Sequence, residues 1–479
     1  MSSSVLRKLP LETILGEKKE GEGLKKTMGW VSLMFFGLGA IIGSGIFVVT
    51  GVAAGTVAGP ALIVSFIIAG VACLFAALCY AELASAIPAS GSVYTFAYVG
   101  LGEVWGWFIA WCLLAEYIFA CSAISTGWSA YFNMILGNVG INLPAAITAA
   151  PDAGGLVNLP AILIITILML LALKGTKESA VVNNILVVVK VSVLLLFVVL
   201  TISHINTANY EPFAPFGWFP TDWFAANKTG VVAGAAIVFF SYLGFDAIAN
   251  LSEEAKDPGK DVPKGILGAL IVSTVLYIVI VLCLTGVVNY TEFASGDGNA
   301  APVAYVLRSI GIVWGSTLVS VGGVCGLTTG ILVTLVAGSR LIYSLGREGL
   351  LPAPIAKINK NGVPTGGVLF VWVAGCLLGG FLPIGKLAEL CNIGTIFAFS
   401  FAAIIVMVLR KSMPNLDRKF KVPLVPVVPI LAIAILLFMA TQLQSLTWIF
   451  FVVWNAVGFG IYFLYGRNHS KLADTQKSA

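Results

Sequence analysis

The feature that most constrains this chain is a succession of apolar runs, each about twenty residues long and almost free of charge, the length that carries a helix across a bilayer. Twelve are read, at 30–53, 58–86, 98–133, 159–173, 180–203, 229–252, 264–289, 302–339, 366–382, 386–409, 422–440 and 445–465. The third and eighth are long enough to be tilted or to project beyond the membrane. Composition agrees: 59% of the residues are hydrophobic and 10% charged, whereas ordinary water-soluble domains carry about 25% charge. The expected fold is an all-α membrane protein with 12 transmembrane helices.

The basic residues orient these spans. With the N-terminus inside and the spans alternating, 23 of the 27 Lys and Arg residues fall on the cytoplasmic side. Lys228, Arg308 and Lys386 fall outside, and Lys190 falls within the membrane. Cytoplasmic loops carry such an excess, so both termini are expected in the cytoplasm. The polar N-terminus has no apolar core, so no cleavable signal peptide is expected. Its Leu6, Leu9, Leu11, Ile14 and Leu15 allow a short interfacial stretch, which Pro10 weakens.

Other function classes fit poorly. The net charge of +5 is spread over short loops, which disfavours nucleic acid. The eight cysteines lie in or beside apolar runs with no C-x-x-C pair, as small buried hydrophobes do. The two histidines, His204 and His469, lie outside the runs, so metal, haem and a Ser-His-Asp triad are not expected. No phosphate-binding G-x-x-x-x-G-K-[ST] loop is present, as a pump would need. No repeated filter motif or ring of like charge points to a channel. No cofactor and no enzymatic activity are expected.

Two runs depart from regular helix. The first span carries Gly39-Ala-Ile-Ile-Gly-Ser-Gly-Ile-Phe47, and the sixth carries Phe239-Phe-Ser-Tyr-Leu-Gly-Phe-Asp246. Glycines cost about 1 kcal/mol each inside a helix. Close helix packing through small residues is the competing explanation, and the expected one for Gly37 and Gly51. Gly43-Ser44-Gly45 is expected to be an unwound turn, because irregular backbone at that depth is tolerated where it lines a cavity. Breaks in the first and sixth helices fit five helices followed by five of inverted topology. Free N–H groups at a half-helix start attract an anion, and free carbonyls attract a cation. A zwitterionic amino acid offers both on one carbon.

Together the motifs GAIIGSGIF (39–47), CYAELASAIPASGSVYTFAY (79–98), VFFSYLGFDA (238–247), SEEAKDPGKDVPKGI (252–266), SRLIYSLGREGLLP (339–352) and LAELCNIGTIFAF (387–399) resemble the amino acid–polyamine–organocation superfamily. Within it they resemble bacterial relatives of the cationic amino acid transporters. The resemblance implies a 5+5 inverted repeat with broken helices 1 and 6, two C-terminal helices and alternating access. The repeats are drawn at 30–203 and 229–410, with an extracellular loop at 204–228, the last two helices at 411–466 and cytoplasmic ends at 1–29 and 467–479. It implies an L-amino acid carboxylate at the backbone of Ile42, Gly43, Ser44 and Gly45, helped by the Ser44 hydroxyl. The amino group would meet carbonyls near Ile41 and around Phe239, Phe240 and Tyr242, under Phe240 as an aromatic gate.

Ionisable residues at membrane depth are costly and mark function. Lys190, in VVVKVSVLLLF of the fifth span, lies where burial penalises the charged ammonium. By resemblance it stands where related carriers hold a sodium ion, and is expected to gain and lose a proton through the cycle; a permanently charged strut bonded near Gly43 is the alternative. Asp246 follows the second break, with Tyr277 expected as its partner. Glu116 in the third span is a further acidic candidate, and Glu82 reads as a packing or gating residue. By resemblance Thr334 lines the side-chain pocket. The expected activity is import of L-amino acids across the cell membrane by proton symport, with exchange or a non-transport scaffold as alternatives. Lipid surrounds the chain, a monomer is expected, and the resemblance admits a small single-helix partner.

Overall fold

The computed structural model describes residues 6–10, 27–87, 92–175, 180–222, 225 and 228–472. Expectations that fall on residues 11–26, and on Lys177 and Lys477, lie outside the described residues. Among those described, regular structure is helical, with isolated backbone bridges at Met28–Ala255 and Ile358–Pro364. Eight helical stretches are long and apolar enough to cross a membrane, and four shorter apolar helices accompany them. The chain is a multi-pass membrane protein.

The first apolar run divides into α1 (Trp30–Ile41) and a second stretch, α2, over 45–58, which opens and closes in wide π turns. α3 (Leu62–Ala86) follows after Gly59 and Pro60. The run expected at 98–133 is two helices, α4 (Ser92–Gly100) and α5 (Glu103–Asn138), because the chain turns at Gly102. α6 (Leu159–Leu173) and α7 (Ala180–Thr201) keep their expected places. The sixth run divides into α8 (Val231–Val238), a tight 3-10 turn at Phe239–Tyr242 and α9 (Ala247–Asn250).

α10 (Pro258–Val287) starts six residues before the expected 264, carrying Pro263 in its opening turns. The run expected at 302–339 is also two helices, α11 (Pro302–Ser309) and α12 (Val313–Arg347). Gly311 separates them with φ 83°, a conformation open to glycine and strained for other residues. α13 (Thr365–Phe381), α14 (Ile384–Ser412), α15 (Val427–Ala440) and α16 (Ser445–Ile461) complete the bundle.

α5 runs through the middle, packed along α12, α13 and α14, while α10 packs on α1 and α3. Both ends of the described chain meet at the start of α5. The Glu103 N–H donates to the Arg7 carbonyl at 2.8 Å, and its fully buried carboxylate accepts from Tyr462 at 2.9 Å and Ser470 at 2.5 Å. Leu9 donates from its backbone to Tyr98 at 3.2 Å, so residues 6–10 dock on the bundle.

Glu82, at the same end as Glu103, holds the loop after α14. It accepts from Arg410 Nε at 3.0 Å, from a second Arg410 nitrogen at 2.6 Å and from the Val422 N–H at 2.7 Å, with Arg418 at 3.4 Å. Its side chain is 2% exposed and that of Arg418 6%. Removing one partner of a buried pair costs about 3–5 kcal/mol. Glu82→Gln is therefore expected to lower the unfolding midpoint of the detergent-solubilised protein clearly; an unchanged midpoint would show that the cluster contributes no stability.

Candidate functional site

An α-helical carbonyl bonds the N–H four residues later. The chain becomes extended at Ile42, where ψ is 99°, and helix resumes from Ser44. The break thus lies at Ile42–Gly43, one residue before the turn expected at Gly43-Ser44-Gly45. It frees the carbonyls of Gly39, Ala40 and Ile41 and the N–H groups of Gly43, Ser44 and Gly45. In a membrane each unmet group costs several kcal/mol. Two side chains meet two of these carbonyls, those of Gly39 and Ile41. The Lys190 ammonium donates to the Gly39 carbonyl at 3.0 Å, replacing the N–H that the break withdrew. The Tyr277 hydroxyl lies 2.9 Å from the Ile41 carbonyl and 3.0 Å from that of Ser241, and shares its one proton between them.

The second break mirrors the first. After the 3-10 turn, Leu243 is extended with ψ 141° and Gly244 has φ 112°. A side chain at Gly244 would also strike Ala40, 2.9 Å away. Tightening at Phe239 draws the end of α8 away from regular bonding, and Asn392 of α14 donates to the Ala236 and Ile237 carbonyls at 2.7 and 3.2 Å. Tyr242 ties the turn to α3 through the Phe66 carbonyl at 2.8 Å. The Ser241 hydroxyl is buried without a hydrogen-bond partner.

The two breaks touch. A methyl group on Gly45 would collide with Ser241, its Oγ only 2.5 Å away. Gly45 is thus a packing glycine, as are Gly37 against Ile248 and Gly51 against Asn299. Gly43 differs: a side chain there would meet nothing within 4 Å, so its backbone fronts open space. On the opposing turn Phe240 is 7% exposed, whereas Phe239, Ser241 and Tyr242 are fully buried, which makes Phe240 the residue with surface left to meet a ligand.

The acidic candidates come together. The Glu116 carboxylate accepts from Thr395 at 2.7 Å and lies near enough to Asp246 for their charges to interact. Asp246 faces the N–H groups of Gly244 and Ala247. The expected Tyr277–Asp246 pair does not form, because the tyrosine hydroxyl is held between the two break carbonyls. Thr334 turns its hydroxyl back to the Gly330 and Ile331 carbonyls, each at 3.0 Å, and stands beside Cys121 of α5. Among the described residues no group of three or more His, Cys, Asp or Glu side chains could hold a metal ion.

Two residues of the site escaped the sequence reading. One is Asn392, whose clue was an amide inside the apolar run 386–409. The other is Tyr131 of α5, which donates to the Phe47 carbonyl at 2.5 Å and packs edge-on against the Phe47 ring. An amphipathic tyrosine in an apolar run carries no comparable signal.

Comparison with known proteins places this arrangement. Residues 28–470 match the amino acid permease family. The chain is 44% identical to a methylthioribose transporter of Bacillus subtilis, over 98% of this chain and 99% of that protein. It is also 44% identical to a branched-chain amino acid permease of the same organism, over 98% and 100%. To the vacuolar cationic amino acid transporter 4 of Arabidopsis thaliana it is 34% identical, over 86% of this chain and 68% of that protein. Matched along nearly its whole length, with both helix breaks inside the matched region, the chain belongs to the amino acid permease family.

Proposed function

We propose that this permease is a secondary active transporter that imports L-amino acids across the cytoplasmic membrane by proton symport. The observation that carries the reading is the Lys190–Gly39 bond: a lysine buried in the membrane interior caps a carbonyl that the first break leaves open. Protonated, Lys190 holds α1 against α7; deprotonated, it loses the charge that makes this bond strong. One proton thereby governs the geometry of the break that receives substrate. The alternative, a permanently charged strut, would use the same bond without releasing it.

In this reading the described helices make twelve crossings, with both ends in the cytoplasm and two inverted repeats at 30–203 and 229–410. Ends that meet at Glu103 are consistent with an even number of crossings. The substrate carboxylate sits at the N–H groups of Gly43, Ser44 and Gly45, supported by the open space at Gly43. The amino group takes the remaining lone pairs of the Ile41 carbonyl and of the carbonyls at 239–242. Phe240 closes over it, and Thr334 borders the side chain. Relatives named for branched-chain amino acids, cationic amino acids and methylthioribose match this chain along most of its length. We assign branched-chain amino acids to this chain: a relative of that name matches it over 98% of its length, as does one named for methylthioribose, and an amino acid rather than a thiosugar suits the paired breaks, with threonine at 334 leaving room for a branched side chain.

An inward gradient of about one pH unit holds about 1.4 kcal/mol, enough for about tenfold accumulation at one proton per amino acid. Sodium-free proteoliposomes are expected to accumulate labelled leucine to that extent under the gradient, and Lys190→Ala to abolish the accumulation. Accumulation that survives Lys190→Ala would rule out the coupling role, and uptake needing preloaded amino acid without a gradient would make the protein an exchanger. Thr334→Met is expected to lower leucine uptake relative to alanine by roughly tenfold, since a pocket discriminates by about 1–3 kcal/mol per methylene. The ratio is read in the same vesicles, with arginine and methylthioribose as competitors; an unchanged ratio removes Thr334 from the pocket.

A further inference from the structure

We infer that Gly326 of α12 is the positioning residue that lets Lys190 reach the first break. The inference rests on the coupling role proposed for Lys190 and adds a residue to it. α7 and α12 approach through two glycines one turn apart. Gly322 faces Val193, and Gly326 faces the Lys190 side chain. A Cβ on Gly326 would lie 2.7 Å from Lys190 Cε, 2.9 Å from Cγ and 3.1 Å from Cδ. Most of the lysine stem is therefore laid flat on the bare backbone of α12. From there its ammonium spans to the Gly39 carbonyl on α1 at 3.0 Å.

The consequence follows from contact distances. Carbon atoms settle about 3.5–4.0 Å apart, so a methyl at 326 displaces the stem by about 1 Å. Cγ can leave the added methyl only by turning about the Cα–Cβ bond, and either that turn or a push along the stem carries Nζ away from Gly39. A bond of 3.0 Å stretched by that amount passes the hydrogen-bond limit. The glycine thus sets the reach of the coupling lysine while touching neither substrate nor proton. Gly322 serves as the control, because the atoms nearest a methyl there all belong to Val193, Cγ1 at 2.6 Å, rather than to Lys190.

The test compares wild type, Lys190→Ala, Gly326→Ala and Gly322→Ala in proteoliposomes, reading proton-driven leucine accumulation and leucine–leucine exchange. Leucine-dependent thermal stabilisation confirms folded protein. Gly326→Ala is expected to fall from about tenfold accumulation toward simple equilibration, because the charged hydrogen bond that couples the proton is lost, and to keep exchange within about twofold of wild type. Gly322→Ala is expected to leave the ratio of accumulation to exchange unchanged. Wild-type accumulation in Gly326→Ala, when Lys190→Ala has none, would overturn the assignment alone. So would a loss of accumulation and exchange in equal proportion in both glycine variants, which is the mark of packing. Wild-type accumulation in Lys190→Ala would overturn the coupling reading and this assignment with it.

Discussion

A backbone carbonyl inside a membrane must have a donor, and this fold is organised around carbonyls that its own helices cannot serve. Breaking α1 withdraws the N–H groups that would bond Gly39 and Ile41, and the second break does the same beside Ser241. The openings at Gly39, Ile41, Ser241 and the end of α8 are met from other helices: Gly39 by Lys190 of α7, Ile41 and Ser241 by Tyr277 of α10, and the end of α8 by Asn392 of α14. The breaks are therefore a tertiary property. Remove the neighbours, and each half-helix either re-forms a continuous helix or leaves polar groups unmet in an apolar medium.

This explains what the sequence could say. The two breaks were legible because glycine and aromatic residues interrupt apolar runs at 39–47 and 239–246, and Lys190 was legible because a charge stands alone among valines. The break was placed one residue late because Gly43 and Gly45 look alike in sequence. Only the neighbours separate them: Gly43 fronts open space, whereas Gly45 makes room for Ser241. Gly37 and Gly51 were read correctly as packing glycines for the same reason, each filling a contact with another helix.

Long-range partners were not legible. Tyr277 was paired with Asp246, yet its hydroxyl serves two carbonyls, and carbonyls leave no mark in a sequence. Asn392 serves carbonyls too. The divisions at Gly102 and Gly311 were missed because hydrophobicity continues across each turn, so an apolar count sees one long span. Glu116 and Asp246 were found separately, as acidic residues in apolar runs, but their proximity required α5 and the second break both to pack on α14.

The pattern of ties indicates where such a structure can move. Tyr277 and Tyr242 bind α1, α3, the second break and α10 to one another through uncharged hydroxyls. Three described side chains tie that group and α2 to the surrounding helices near the two breaks: Tyr131 at Phe47, Asn392 at the end of α8, and Lys190 at Gly39. An amide does not titrate, and a tyrosine ordinarily loses its proton only near pH 10. Under the proposed coupling, Lys190 is then the crossing tie among these three that a proton can open. A gradient acting there would loosen one side of the first break while the tyrosine ties keep the two breaks facing each other. The substrate's receptor would survive the motion that exposes it to either side.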